Sequence, residues 1–386
     1  MTPFEAATHP DPYTFYAQLR HRADLYFDSR LGCWVASGAR VIQAIVQHPD
    51  LLVRPPHEPV PPAIAQRPSG QVFGNLMRMN EGPRHQCPRH GIEPALASVS
   101  AADIATLVAH LFPITDSSAD SLNSLMFKLP VSVLCRLLGF DDHQLDTLSA
   151  LTGDFVACLS PLASELQLRS ADIAATRLSQ MFEVLLNDEA GHSAFLNAIC
   201  PAYRSGTQAD RPALIANLIG LLSQTCEATA GLIGNALVAL QQQPELLEAV
   251  SRTPALVPEL VAEAARHDPS VQNTRRFVAK RCVIGNCTLQ AADTVLVLLA
   301  SANRDPAINH DPDCFLLNRP LRQNFSFGHG RHQCPGQQIA LAIAAQTIAV
   351  LLQRHGTSFI RTCHWSYVPS LNGRIPRFRQ QPEIAQ

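Results

Sequence analysis

The hydrophobic pattern changes period along the chain. Gly32 to Ser37 (GCWVAS) reads as an extended segment, and Ala39 to Gln47 (ARVIQAIVQ) spaces its apolar residues along one face of a helix. From Val53 to Gly74 prolines break every such pattern, so this stretch reads as a long ordered loop. From about Ala101 to about Leu256 apolar residues recur at helical spacing with few strand signals, which predicts several packed helices. A strand-rich patch follows from about Val271 to Leu299. The last third passes through a loop into a long helix, Pro335 to His355. Neither a repeat nor a flexible linker interrupts the pattern. The expectation is a mainly α protein with minor β structure, one domain over residues 1–386. Its small β-rich part comes from the N-terminal and about 271–299 segments.

Composition narrows this picture. Hydrophobic residues make up 46% and charged residues 16%, a balance that builds a buried core and excludes a disordered chain. Formal net charge is −2, with 30 basic against 32 acidic residues and no basic tract, which argues against nucleic acid as a partner. The N-terminal MTPFEAATHPDPYTFY lacks the basic and apolar regions of a signal peptide. The most apolar stretch, Leu214 to Leu240, is interrupted by Asn217, Ser223, Gln224, Thr225, Glu227 and Asn235, which suits a buried helix better than a membrane span. A cytoplasmic, membrane-free monomer is expected. Eleven cysteines include no CxxC pair, and Cys282 and Cys287 (RCVIGNCTL) have no second pair nearby, so neither a zinc site nor a disulfide framework is expected. Ten of them read as small buried or surface residues. The eleventh stands in a different setting.

Phe325 to Ala340 reads FSFGHGRHQCPGQQIA, with Gly328, Gly330 and Gly336 around Cys334. Glycine accepts positive φ and close backbone approach, so such a loop can fold tightly under a flat ligand. Proline directly after the cysteine suits a first helical position, which would put Cys334 at the N-cap of the last helix. Free N–H groups and the helix dipole there favour a thiolate and lower its pKa. A thiolate is a strongly donating axial ligand for iron in a porphyrin.

This loop resembles the haem-binding motif F-G-x-G-x-H-x-C-x-G of the cytochrome P450 family, with Phe327, Gly328, Gly330, His332, Cys334 and Gly336 in matching positions. The resemblance implies the family fold, with haem b between a long distal helix and the helix after the cysteine loop. It makes Cys334 the metal ligand, His332 a partner of a haem propionate and Phe327 a shield for the sulfur, with Gly336 closing the motif. Glu263-Ala-Ala-Arg266 precedes the loop at the family's usual distance. Spacing of i, i+3 allows a helix-surface salt bridge, and the resemblance implies instead a buried pair with Arg319 as a third member, holding the fold rather than doing chemistry. Ala302 to Pro306, Asp311-Pro312 and Phe315 also resemble the family's segment before the loop. His85, Arg89 and Arg276 match its propionate contacts, although Pro88 should kink or restart the helix carrying the first two.

The segment Leu218 to Leu240 resembles the distal helix but departs from the usual A-G-x-[DE]-T centre. Aligned on Glu227 it reads Gln224-Thr225-Cys226-Glu227-Ala228-Thr229, so the acid is kept while Ala228 replaces the threonine and Thr229 follows it. Neighbouring helical positions differ by about 100°, so Thr229 cannot simply stand in for the lost hydroxyl. Two readings stay open. A substrate hydroxyl, an ordered water or Gln224 supplies the missing hydrogen bond with Glu227 in the proton relay, or Gln224 and Thr225 only bond backbone carbonyls inside a distorted helix.

The leading functional expectation is a monooxygenase placing one atom of O2 in a small or medium organic substrate of secondary metabolism. Electrons from NAD(P)H would arrive through a separate ferredoxin and ferredoxin reductase. Arg322, His329 and Arg331 are candidates for the surface that receives the donor. Expected pocket walls are the Pro-rich loop before Met77, the helices from Asp154 to Ala202, Gln224 with Ala228, Val271 to Thr274, and Ser370 to Asn372. The alternatives are other oxidative chemistry on the same cofactor, such as desaturation or ring coupling, and a non-catalytic haem-binding sensor or carrier. A helical binding module without haem is a third, which a red protein would exclude. Loss of the iron's water ligand on substrate binding separates an enzyme from a sensor.

Overall fold

The computed structural model describes residues 1–112, 118–188, 191–204 and 211–380. Residues 189 and 190, inside the stretch expected to line the pocket, lie outside the described residues. Helices dominate. Those that position the site are α1 (Pro83–Ser98), α2 (Ala119–Leu138), α3 (Glu165–Asn187), α4 (Arg211–Gln242), α5 (Val257–His267) and α6 (Gln337–His355). A helix apolar around its whole circumference must be enclosed by others, and α4 is buried almost continuously from Leu214 to Leu240. It packs most extensively along α2 and also meets α5, α6 and the helix Pro68–Asn75. Glycines make the approach close: a Cβ at Gly231 would lie 2.6 Å from Ser270 Cβ, and one at Gly234 would lie 2.8 Å from Pro376 Cδ. Among the described residues α2 alone is by itself long and apolar enough to cross a membrane, yet 56% of its most apolar window is buried.

The β structure unites distant parts of the chain. The strands are β1 (Leu25–Asp28), β2 (Cys33–Ala36), β3 (Leu51–Leu52), β4 (Thr274–Val278), β5 (Cys282–Ile284), β6 (Cys287–Leu289), β7 (Thr294–Val297), β8 (Cys363–Tyr367) and β9 (Pro376–Gln380). One sheet runs β1-β2-β7-β4-β3, with β2 parallel to β7 through Trp34 opposite Val295 and the other pairs antiparallel. Cys282 and Cys287 sit in the β5–β6 hairpin, where their cross-strand partners are Leu289 and Ile284, and all eleven cysteines are free.

Four local expectations need correction. Pro68–Asn75 is a helix rather than loop, with Pro68 in its first turn and Arg67 before it tied to Glu165 and Asp172 of α3. α1 passes through Pro88 and Pro94 without ending, because His85, Pro88, Ile92, Ala95 and Leu96 form its buried face and that burial outweighs the lost backbone bonds. The last helix starts at Gln337 with Gly336 as its cap, two residues later than expected. The β8–β9 hairpin, beyond α6, was not expected at all. Its register pairs Trp365 with Phe378, but Trp365 and Tyr367 are the only strong strand formers in β8.

Candidate active site

The cysteine loop is closed by its own backbone. Gly328 and Gly330 adopt φ of +71° and +68°, where a side chain would be strained. Gly328 N–H donates to Phe325 O at 2.9 Å, Gln333 N–H to Gly330 O at 3.0 Å, and Cys334 N–H to Phe327 O at 2.7 Å. Phe327 packs against the main core at the base of this turn. Cys334 keeps accessible surface although protein surrounds it closely, so it lines a recess. Because the helix begins only at Gln337, Cys334 is not its N-cap. Burial raises the thiol above its ordinary value, opposed by the Gly336 N–H and the charge of Arg89. The expected lowering of its pKa by the chain alone is therefore corrected.

A buried ionic cluster holds this loop against α5. Glu263 and Arg266 are fully buried one turn apart, and Arg266 Nη2 donates to Glu263 Oε1 at 2.7 Å. Arg319 Nε donates to the same oxygen at 3.0 Å, as the sequence implied, and Arg322 Nε donates to Oε2 at 2.9 Å. Arg266 spends its remaining donors on the carbonyls of Asn303, Pro312 and Cys314. Burial works to raise the Glu263 carboxyl, but the hydrogen bonds and charge of Arg266 and the bonds from Leu316 N–H and Arg319 hold it below the ordinary range. The link to the loop is direct: Ser326 Oγ donates to Ala265 O at 2.5 Å, and Asn303 Nδ2 donates to Ser326 Oγ at 2.7 Å. Arg322 is thus part of the cluster, not a free docking cation.

On another side of the loop, polar groups gather around Glu81. Arg331 Nε donates to Glu81 Oε2 at 3.0 Å, and its other nitrogens donate to His48 O and Leu51 O, so it too is unavailable for docking. His332 Nε2 donates to Glu81 Oε2 at 3.1 Å and its ring lies 4.3 Å from that of buried His85. Burial, then the neighbouring charges of His332 and Arg89, pull His85 down to about 4. Arg276 on β4 is buried within electrostatic reach of Glu81 and Arg331. Arg89 is otherwise engaged, with Glu93 and with Gln333 O at 2.7 Å. His329 is half-buried with its ring edge-on to Phe325. Two buried nitrogens are left over: Arg276 Nε, a donor, and His332 Nδ1, which donates only when the ring is protonated, have no partner among the described residues. Unpaired buried polar atoms are costly, and a guanidinium nitrogen and an imidazole nitrogen left open beside a recess containing a thiol fit a flat iron ligand that carries carboxylates. Glu81 was not singled out from the sequence, although it stands four residues before His85.

The middle of α4 separates its expected residues by face. Gln224, Glu227 and Ala228 keep accessible surface, whereas Thr229 is buried on the packed side, as the helical angle requires. Gln224 Nε2 donates to Gly220 O at 2.9 Å, the backbone bond foreseen as one of the two alternatives. Enclosure raises the Glu227 carboxyl above its ordinary value against the opposing charge of Arg78. Arg78, in the short turn Met77–Met79, was not recognised from the sequence.

With this geometry, the chain can be set beside known proteins. The cytochrome P450 family model matches residues 241–362, the stretch that holds both the Glu263 cluster and Cys334. A relative from Xylella fastidiosa (strain 9a5c), named as a cytochrome P450 133B2, is 30% identical over 297 residues, covering 74% of this chain and 74% of that protein. The biotin biosynthesis cytochrome P450 of Bacillus subtilis (strain 168) is 25% identical over 371 residues, 93% of each chain. The crystal structure of CalO2 superposes with a TM-score of 0.83 over 99% of both chains at 22% identity, which shows the shared fold. This chain belongs to the cytochrome P450 family and is an oxidoreductase of the monooxygenase kind. Membership implies haem, O2 and reduced-nicotinamide electrons delivered through partner proteins.

Proposed function

We propose that the 386-residue chain acts as one catalytic domain that inserts one atom of O2 into a small or medium organic substrate, with the second atom leaving as water. Haem b, bound between α4 and the loop ending at Cys334, would supply the activation of O2. Cys334 would hold the iron through its thiolate, with the turn from Phe327 positioning it and the Gly336 N–H favouring the charge on its sulfur. His85, Arg276 and His332 would hold the propionates, and the unpartnered nitrogens of Arg276 and His332 support that assignment. Glu227 holds and releases a proton on the accessible face of α4, which also carries Gln224 and Ala228, and the upward shift that burial gives its carboxyl favours the protonated form such a role needs. Thr229, being buried, takes no direct part. Electrons reach the protein from a ferredoxin and its reductase in the cytoplasm. A biosynthetic role is supported by the Bacillus subtilis protein's assignment to biotin biosynthesis, and its placing in secondary metabolism by the likeness to a mycinamicin IV hydroxylase/epoxidase of Micromonospora griseorubida.

The observation that carries this reading is the sulfur of Cys334, presented to a recess by a loop closed on itself. Replacing Cys334 by serine should abolish the long-wavelength band of the reduced carbon monoxide complex and all turnover. An unchanged band in a folded variant would overturn the reading.

A further inference from the structure

Most buried or half-buried arginines of this protein have partners that explain them. Arg266, Arg319 and Arg322 hold Glu263, Arg331 holds Glu81, and Arg374 holds Asp268 while donating to the carbonyls of His9 and Pro10. Arg78, like Arg276 beside the cysteine loop, forms no ion pair among the described residues, and unlike Arg276 it lies against α4. It is closely enclosed, its Nε is buried without a partner, and its terminal nitrogens, which keep some accessible surface, donate to nothing among the described residues. Its electrostatic neighbours are Glu227 on α4, which forms no salt bridge with it, and Cys158, whose thiol burial pushes up to about 12 and which is therefore neutral. Burial pulls Arg78 down to about 10, still protonated at neutral pH.

The platform beneath this guanidinium is rigid. Met77 N–H donates to Asn217 Oδ1 at 2.7 Å, Asn217 Nδ2 donates to Asn75 O at 3.1 Å, and Asn80 Nδ2 donates to Leu76 O at 2.8 Å. Leu76 closes against Gly220 of α4, where a Cβ would lie 2.9 Å from Leu76 Cδ2. The turn is thus pinned to α4 near Gln224 and Glu227. An enclosed cation without a counter-charge is costly unless something supplies one, and a planar guanidinium with free terminal donors matches a carboxylate by paired hydrogen bonds. Held ready in this way, it loses little freedom on binding.

We propose that Arg78 anchors a carboxylate of the substrate beside Glu227, so that this enzyme oxidises organic acids rather than neutral molecules. The inference rests on the reading that the accessible face of α4 borders the substrate pocket. Glu227 sharpens the selection, because its ionised form repels the same carboxylate and its protonated form does not.

The test is calorimetric titration of the haem-loaded protein with straight-chain, cyclic and aryl carboxylic acids, each beside its own primary amide. At least one acid should bind about tenfold or more tighter than its amide, the range of a charge-assisted hydrogen bond. Arg78→Gln should remove that preference while leaving amide affinity within about twofold, Arg78→Lys should retain part of it, and Glu227→Gln should tighten acids alone. No acid preference anywhere in the panel, or equal losses of acid and amide in Arg78→Gln, overturns the proposal. The carbon monoxide spectrum of the same samples reports separately on the haem reading, whereas acid-over-amide preference is measured by heat and does not depend on it.

Discussion

Glu227 and Glu263 are enclosed carboxylates on two packed helices, and their neighbours send them in opposite directions. Three arginines contact Glu263 and keep it charged; Glu227 has only Arg78 at longer range, and burial raises its pKa. A carboxyl kept ionised holds structure, while one poised to gain a proton can move it. Glu227→Gln should therefore reduce turnover by about a hundredfold or more, the scale of a lost acid–base group, with the carbon monoxide spectrum intact. Stopped-flow and steady-state rates with any acid found to bind would check this. An unaltered rate would mean that the proton comes from elsewhere.

At the scale of elements, the contact of α4 with its neighbours depends on missing side chains. Gly231 lets the segment at Ser270 and Arg374 come close, and Gly234 admits Pro376 and Met126. Gly231→Ala and Gly234→Ala should each cost about 1–3 kcal/mol by overpacking, because here the obstruction includes backbone and ring atoms that cannot swing away. Gly153, in the helix Leu145–Val156, is the matched contrast, since a Cβ there meets nothing within 4 Å. Gly153→Ala should instead stabilise by about 0.5–1 kcal/mol, and urea denaturation of the three variants should give opposite signs.

For the whole molecule, the Glu263 cluster ties α5 to the segment from Asn303 to Arg322 and, through Ser326, to the cysteine loop. Glu263→Gln leaves three buried or half-buried guanidinium groups short of their counter-charge and should cost about 3–5 kcal/mol. The sign with pH follows from the lowered folded-state pKa. The carboxylate's contribution is full above its ordinary value of 4.5 and is lost as pH falls through the lower folded value. Urea midpoints of wild type and variant should therefore lie far apart at pH 7 and converge as the medium becomes strongly acidic. A gap that stayed constant with acid would show that the carboxylate's charge is not what stabilises the cluster.

Features written in contiguous residues were legible in the sequence. The helix Ala39–Gln47 and the extended run at Cys33–Ala36 follow from local period, and the glycine turn before Cys334 from the conformational demands of ten neighbouring positions. The different facing of Ala228 and Thr229 needed only the helical angle. Tertiary structure decided the rest, because charged and polar side chains take their roles from whatever the fold brings beside them. Arg322 and Arg331 read as surface cations until Glu263 and Glu81 engaged them, Pro88 read as a break until a buried face held α1 together, and Arg78 gave no signal until it was enclosed without a partner. Period and turn chemistry act over a few bonds and are fixed by the residues themselves, whereas a counter-charge contributed by a distant segment exists only once the chain has folded.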